Sequence, residues 1–174
     1  VGAKWEEKEE YFGTRFRGIE LVYSVEDTPL GTGGAIALAC SRTRSRTVLV
    51  VNGDTIFPLD PARLHAAQEE RGQGATLALK RMTEFDRYGT VTLSGSEIVG
   101  FHEKAFRKEG LINGGIYAVD RDFLLGRDLP ARFSFEQEIL EKEAGKGRLF
   151  GMEFDAPFLD IGIPEDYARA ADFL

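Results

Sequence analysis

Apolar positions along this chain follow two rhythms. Thr47-Val48-Leu49-Val50-Val51 is an unbroken β-branched and aliphatic run, which predicts a strand covered on both faces, as in a parallel sheet. Ile19–Val25, Ala75–Lys80, Asn113–Val119, Leu149–Phe154 and Pro157–Asp160 predict further strands. Thr90–Leu93 and Ile98–Phe101 alternate around Ser94-Gly95-Ser96, the pattern of a hairpin. Helical periods fall between. Lys4–Phe12 reads as a charged helix stopped at Gly13, and Ala35–Cys40 as a short helix after a glycine-rich loop. Asp60-Pro61 supplies an N-cap and a first-turn proline for a helix to about Arg71. Ser134 with Gln137 three positions later fits a capping box before a helix ending near Gly145. Pro164 opens the last helix, where Tyr167, Ala170, Ala171 and Leu174 share one face that should be buried.

Strand–helix alternation followed by a β-rich middle predicts a three-layer α/β/α domain. Its sheet should be mixed and mostly parallel, with a small antiparallel insertion. No repeat, low-complexity segment or long linker divides the 174 residues, so residues 1–174 read as one domain. A net charge of −7 argues against nucleic acid as a partner, and Arg42, Arg44 and Arg46 read as a solvated loop. Cys40 is the only cysteine, in an apolar helical setting that predicts a buried, inert thiol and a reducing compartment. No run approaches a membrane span and no signal peptide opens the chain, so a cytoplasmic protein without a membrane partner is expected.

Three separated stretches bear on chemistry. Pro29-Leu30-Gly31-Thr32-Gly33-Gly34-Ala35 is a loop whose amides could face an anion at a helix start, or a plain strand-to-helix turn. Asp54 and Asp160 each end a strand-like run, the place where open α/β sheets bind ligands. Asp54 also suits an ordinary Asn-Gly-Asp turn, and Asp160 could merely assist the helix that follows. If the two meet, they form an oxygen-only site suited to Mg²⁺, which takes its other ligands from water and phosphates. Glu103-Lys104 ends another strand. Lysine can neutralise a phosphate and glutamate can accept from sugar hydroxyls, although such pairs are commonly solvated strand ends. His65 and His102 lack metal-ligand spacing and receive no role.

Taken in order, these stretches resemble the sugar-1-phosphate nucleotidyltransferases. The resemblance runs through Val1-Gly2, Tyr11-Phe12-Gly13, the Pro29–Ala35 stretch, Asn52-Gly53-Asp54, Tyr88-Gly89, Phe101–Lys104, Asn113–Tyr117 and Asp160–Tyr167. The forms Leu-Gly-Thr-Gly-Gly-Ala, Ile-Asn-Gly-Gly-Ile-Tyr and Asp-Ile-Gly-Ile-Pro-Glu-Asp-Tyr look most like the guanylyltransferases of heptose 1-phosphate, with those of mannose 1-phosphate as neighbours. The resemblance implies a nucleotidyltransferase fold using GTP, a sugar 1-phosphate and Mg²⁺. Asp54 and Asp160 would hold the metal, with Lys104 beside them as the third catalytic group. Glu26, Gly31, Thr32, Gly33, Gly34, Asn52 and Gly53 would bind the nucleotide. Tyr88, Gly89, Glu103, Lys104 and Asn113 would bind the sugar phosphate. Glu26 lies where related enzymes read the base edge, and an acceptor-only carboxylate suits the donors of guanine.

The family opens with a strand, a glycine-rich loop ending in Gly-Thr-Arg and a downstream Pro-Lys, which together cradle the triphosphate. Those features do not occur in these residues, so a βαβ portion of roughly 30 residues or more is expected to be missing from the start. Gly13-Thr14-Arg15 imitates part of that signature but follows a helix and reads as a turn. A non-catalytic subunit that binds nucleotide sugars is the competing reading. A glycosyltransferase ranks lower, because Asp54 is followed by Thr55-Ile56-Phe57 with no second acid. The sugar and the oligomeric state, a homo-oligomer included, stay open.

Overall fold

A computed structural model describes residues 5–173, with side chains up to 170. Val1, Gly2, Lys4 and Leu174, and the side chain of Ala171, lie outside what it describes. The helices are α1 (Trp5–Phe12), α2 (Gly31–Ser41), α3 (Pro61–Arg71), α4 (Arg121–Leu125) and α5 (Pro164–Phe173), with a π-helical turn at Glu136–Glu141. The strands are β1 (Arg15–Phe16), β2 (Ile19–Glu20), β3 (Thr47–Val51), β4 (Thr55–Ile56), β5 (Ala75–Phe85), β6 (Thr90–Ser94), β7 (Glu97–His102), β8 (Arg107–Asp120), β9 (Leu149–Glu153) and β10 (Leu159–Asp160).

The central sheet has six strands in the order β3-β8-β5-β9-β7-β6. β5 and β9 form its parallel pair, and the other neighbours are antiparallel. The sheet is mixed, as expected, but not parallel by neighbours. β3, β5, β9 and β6 run one way, while β8 and β7 are interposed in reverse and cap the parallel ladder at one pair. Side-chain alternation along β5 and β8 feeds two cores. Leu77, Leu79, Tyr117 and Val119 meet Cys40, Leu124, Phe135 and Ile139 on one face. Ala78, Ile116 and Ala118 meet Leu64 of α3, Phe57 and Phe154 on the other. Three layers result, and each fully buried aliphatic side chain contributes about 1.5–3 kcal/mol.

Several local expectations hold for the physical reasons given. Asp60 accepts from Ala62 N–H at 2.9 Å, Pro61 occupies the first turn, and Gly72 closes α3 at φ +70°. Ser134 Oγ accepts from Gln137 N–H at 3.3 Å, although its own proton goes to Glu136 rather than to a reciprocal glutamine contact. Cys40 is buried, and that burial pushes its thiol pKa up despite the opposing charge of Arg121.

Other expectations need correction. Ile19–Val25 is a strand only at Ile19–Glu20, because its pairing ends with the short β1. β3 is not covered on both faces. It ends the sheet among the described residues, and Leu49 and Val51 stay 40% and 59% exposed. Arg42 and Arg46 are not simply solvated, since Arg42 donates to Tyr23 O and Arg46 binds Asp120 and Gly72 O. α5 does not bury Tyr167, which is 69% exposed; among its described side chains the buried one is Asp166, paired with Arg87.

The glycine-rich stretch is the first turn of α2 rather than a loop before it. A Cβ on Gly33 would lie 2.1 Å from the Phe133 ring, and Gly33 N–H donates to Phe133 O at 3.0 Å. Small side chains here admit the segment before the π-helical turn, and that packing outweighs the poor helix propensity of glycine.

Candidate active site

β3 delivers Asn52-Gly53-Asp54 to its carboxyl end, and the chain turns at once into β4. β4 pairs antiparallel with β10, so that Thr55 lies opposite Asp160. Ile161 N–H donates to Asp54 O at 2.9 Å and closes this small ladder. Two aspartates more than a hundred positions apart therefore sit on adjoining rungs, and both line one cavity of about 790 Å³.

The same cavity takes in Tyr88, Gly89, Glu103, Lys104 and Asn113, all five residues expected at the sugar phosphate. The hairpin β6–β7 carries one wall, with Glu103 and Lys104 directly after β7. Neither Glu103 nor Lys104 has a hydrogen bond or ion pair among the described residues, so both present unspent groups to the opening. Gly89 is pressed against β7: a Cβ there would lie 2.5 Å from His102 O.

Asn113 is aimed by an irregularity in β8. The β5–β8 register slips between Leu77 and Leu79, which oppose Tyr117 and Asn113, so β8 bulges at Gly114-Gly115-Ile116. Gly115 stands at φ +72° in that bulge, a backbone region costly for residues with a Cβ. Asn113 Oδ1 accepts from Gly115 N–H at 3.0 Å, and its amide donates to the Tyr117 hydroxyl at 2.9 Å.

Tyr117 has 1% exposure and lines the cavity. Burial first, and the nearby charges of Glu136 and Asp54, push its pKa up to about 12 against the opposing Asn113 hydrogen bond. It is thus a neutral phenol near pH 7, able to donate without adding negative charge. Tyr117, Glu136 and His102, whose Nε2 lies 2.7 Å from Thr92 Oγ1, all line the cavity and were missed by sequence reasoning. The signal for Tyr117 was present in Asn-Gly-Gly-Ile-Tyr, whose first and last residues would lie about 13 Å apart in a regular strand, so only the bulge lets their side chains meet.

Of the residues expected at the nucleotide, Asn52 lines this cavity. Glu26, Gly31, Thr32, Gly33, Gly34 and Gly53 are not brought to it. Glu26 accepts from Leu30 N–H at 3.0 Å and so holds the entry to α2. Gly33 and Gly34 are buried, and the Thr32 hydroxyl bonds Glu136 at 2.8 Å while accepting from Phe135 N–H at 2.9 Å. The start of α2 therefore supports the π-helical turn that brings Glu136 to the cavity.

The donor set fits a hard divalent cation. Asp54 has no hydrogen bond to its carboxylate among the described residues, and Asp160 uses Oδ1 to accept from Gly162 N–H at 2.9 Å. No cluster of three or more His, Cys, Asp or Glu able to hold a metal occurs among the described residues. Two open carboxylates beside a roomy cavity suit an ion that completes its shell with water and phosphate oxygens.

This fold belongs to a known class. The nucleotidyl transferase family model matches residues 3–174, and the chain belongs to that family. It is 45% identical over 170 residues to D-glycero-alpha-D-manno-heptose 1-phosphate guanylyltransferase of Aneurinibacillus thermoaerophilus, covering 98% of this chain and 74% of that protein. Its counterpart in Campylobacter jejuni is 44% identical over 168 residues, covering 96% and 73%. Mannose-1-phosphate guanylyltransferase of Mycobacterium tuberculosis is 30% identical, over 88% of this chain and 44% of that protein. Among solved structures, HddC from Yersinia pseudotuberculosis superposes with a TM-score of 0.84 at 27% identity, covering 98% of this chain and 74% of that one. The same protein complexed with GMP-PN gives 0.83 at 26% identity, covering 99% and 76%. No helix among the described residues is long and apolar enough to cross a membrane.

Proposed function

We propose that this chain carries the site of a sugar-1-phosphate guanylyltransferase. It transfers GMP from GTP to D-glycero-α-D-manno-heptose 1-phosphate and releases pyrophosphate, making a GDP-sugar in the cytoplasm for surface polysaccharide. The observation that carries the reading is the pairing of β4 with β10, which sets Asp54 and Asp160 at the rim of the cavity holding Glu103, Lys104 and Asn113. Base and sugar rest on the two relatives at 45% and 44% identity, which bear that activity in their names.

The sugar-1-phosphate oxygen attacks the α-phosphorus of GTP, and pyrophosphate leaves from the opposite side. Little acid–base chemistry is required, because positioning and charge neutralisation lower the barrier. Lys104 offsets charge on the sugar phosphate as a point cation. Glu103 accepts from sugar hydroxyls, and Asn113, held by Tyr117, supports the same partner. Asp54 and Asp160 would hold Mg²⁺, which when bound neutralises phosphate charge and orients the triphosphate.

The natural full-length protein, given GTP, Mg²⁺ and heptose 1-phosphate, should release pyrophosphate faster than with mannose 1-phosphate or with UTP. Faster turnover of mannose 1-phosphate would move the assignment to that sugar. Absence of turnover with every sugar phosphate and every common triphosphate would reject it.

A further inference from the structure

Arg87 lies immediately before Tyr88-Gly89 and outside the cavity those residues line. Its Nη1 donates to Asp166 Oδ2 at 2.5 Å, across 79 positions of sequence. The Asp166 side chain is 8% exposed, in the first turn of α5, and its other oxygen accepts from Arg169 at 3.0 Å. α5 follows β10 directly, so Asp166 is anchored six positions beyond Asp160. The Arg87 guanidinium also lies 5.6 Å from the Tyr88 ring centroid. Tyr88 in turn stands edge-on to Phe158 at 5.8 Å, on the segment entering β10. The charge of Asp160 acts on both Arg87 and Tyr88, which places all three within electrostatic reach.

The strand gives out just before this loop. Glu84, at φ +50°, is still held inside β5 between Thr83 and Phe85, which pair with Glu109 and Arg107 of β8. Beyond Phe85 the loop is tied to α5 through Asp166, which keeps Arg169 as a partner when Arg87 is removed, so that change loosens the loop without leaving the carboxylate unpaired.

We propose that Arg87 is a positioning residue. Clamped on Asp166, it locks the Tyr88-Gly89 loop against the Asp160 segment and sets the spacing between the sugar-phosphate wall and the cation-holding wall. This rests on the guanylyltransferase reading for its kinetic consequence, but not for its structural one.

The test compares Arg87→Ala, Arg87→Lys, Asp166→Asn and the double variant in the natural full-length protein. Arg87→Ala and Asp166→Asn should each raise KM for the sugar 1-phosphate about tenfold or more, the scale of a displaced positioning group, with KM for GTP within about twofold. The double variant should be no worse than either single one, because both remove the same contact. Arg87→Lys should recover part of the loss, and it keeps the charge should Arg87→Ala fold poorly. Hydrogen exchange of residues 86–90, measured without ligands, should quicken in Asp166→Asn. Unchanged exchange there overturns the lock, as does an equal rise in both KM values. If the wild type releases no pyrophosphate, the guanylyltransferase reading fails, and exchange alone then decides the lock.

Discussion

Gly115→Ala is the most informative single substitution in the site. Gly115 stands at φ +72°, which costs a residue with a Cβ about 1–2 kcal/mol. The added methyl would also lie 2.9 Å from Asn52 Nδ2, 3.1 Å from its Cγ and 3.2 Å from its Cβ. Rotation of Asn52 relieves only the first two contacts, and Asn52 N–H is tied to Gly115 O at 2.8 Å, so the backbones cannot part freely. Overpacking of this kind costs about 1–3 kcal/mol. Reduced freedom of the unfolded chain returns about 0.4–1 kcal/mol, leaving a net loss of about 1–4.6 kcal/mol, with its centre at about 3. For a chain of this size the central value is a fall of roughly 6–12 °C in Tm. Gly95 provides the control, with φ +61° but nothing within 4 Å of its would-be Cβ. Gly95→Ala should therefore cost about 1.6 kcal/mol or less. Urea unfolding followed by circular dichroism measures both, and sugar-phosphate KM reports the accompanying shift of Asn52 and Asn113. If Gly115→Ala costs no more than Gly95→Ala, the close packing of the bulge against Asn52 is refuted.

Other outcomes follow from the same geometry. Asp54→Ala and Asp160→Ala should each lower Mg²⁺-dependent turnover by about a hundredfold or more while leaving the circular dichroism spectrum intact; near-wild-type rates in either would remove that residue from the metal site. Tyr117→Phe should weaken sugar-phosphate binding by about 1 kcal/mol, the net worth of the Asn113 hydrogen bond, and an unchanged KM would show that Asn113 is oriented otherwise. Glu143 is buried, which alone would raise its pKa, but the Arg127 hydrogen bond and the charges of Arg127, Arg148 and Lys146 hold it below the usual carboxylate range. A depressed folded value means its stabilisation is present above the unfolded value of about 4.3 and lost as pH falls through the folded one. Glu143→Gln should accordingly flatten the acid limb of stability below about pH 4.3, and parallel limbs for variant and wild type would contradict this.

Much of the architecture was legible because it rests on local chemistry. The strand Thr47–Val51, the Asp60 cap and the hairpin at Gly95 each follow from residues adjacent in sequence. What escaped depends on distant partners. The start of α2 was hidden because glycine disfavours helix, and only Phe133, a hundred positions later, makes Gly33 the fitting residue. In α5 apolar spacing pointed to Tyr167, which is exposed, whereas Arg87 draws in its neighbour Asp166. The π-helical turn was invisible for a different reason. Phe135, Ile139 and Leu140 are spaced as in an ordinary helix, so the pattern does not register the extra residue.

The site divided along the same line. Asp54, Lys104 and Asp160 were singled out at strand ends with ordinary readings beside the chemical one, and they line one cavity. Glu26 and the α2 glycines followed from resemblance; they lie outside the cavity that holds the aspartates, with Glu26 accepting from Leu30 N–H and Gly33 donating to Phe133 O. Tyr117 required knowledge of the bulge in β8, since without the slip at Gly114-Gly115-Ile116 it would not stand beside Asn113.

The central claim is that Asp54 and Asp160 jointly hold one divalent cation at the mouth of the cavity. Electron paramagnetic resonance titration of Mn²⁺ in the presence of a GDP-sugar tests it directly. One tightly bound Mn²⁺ per chain, lost in both Asp54→Asn and Asp160→Asn, is the expected result. Undiminished binding in both variants would contradict the account.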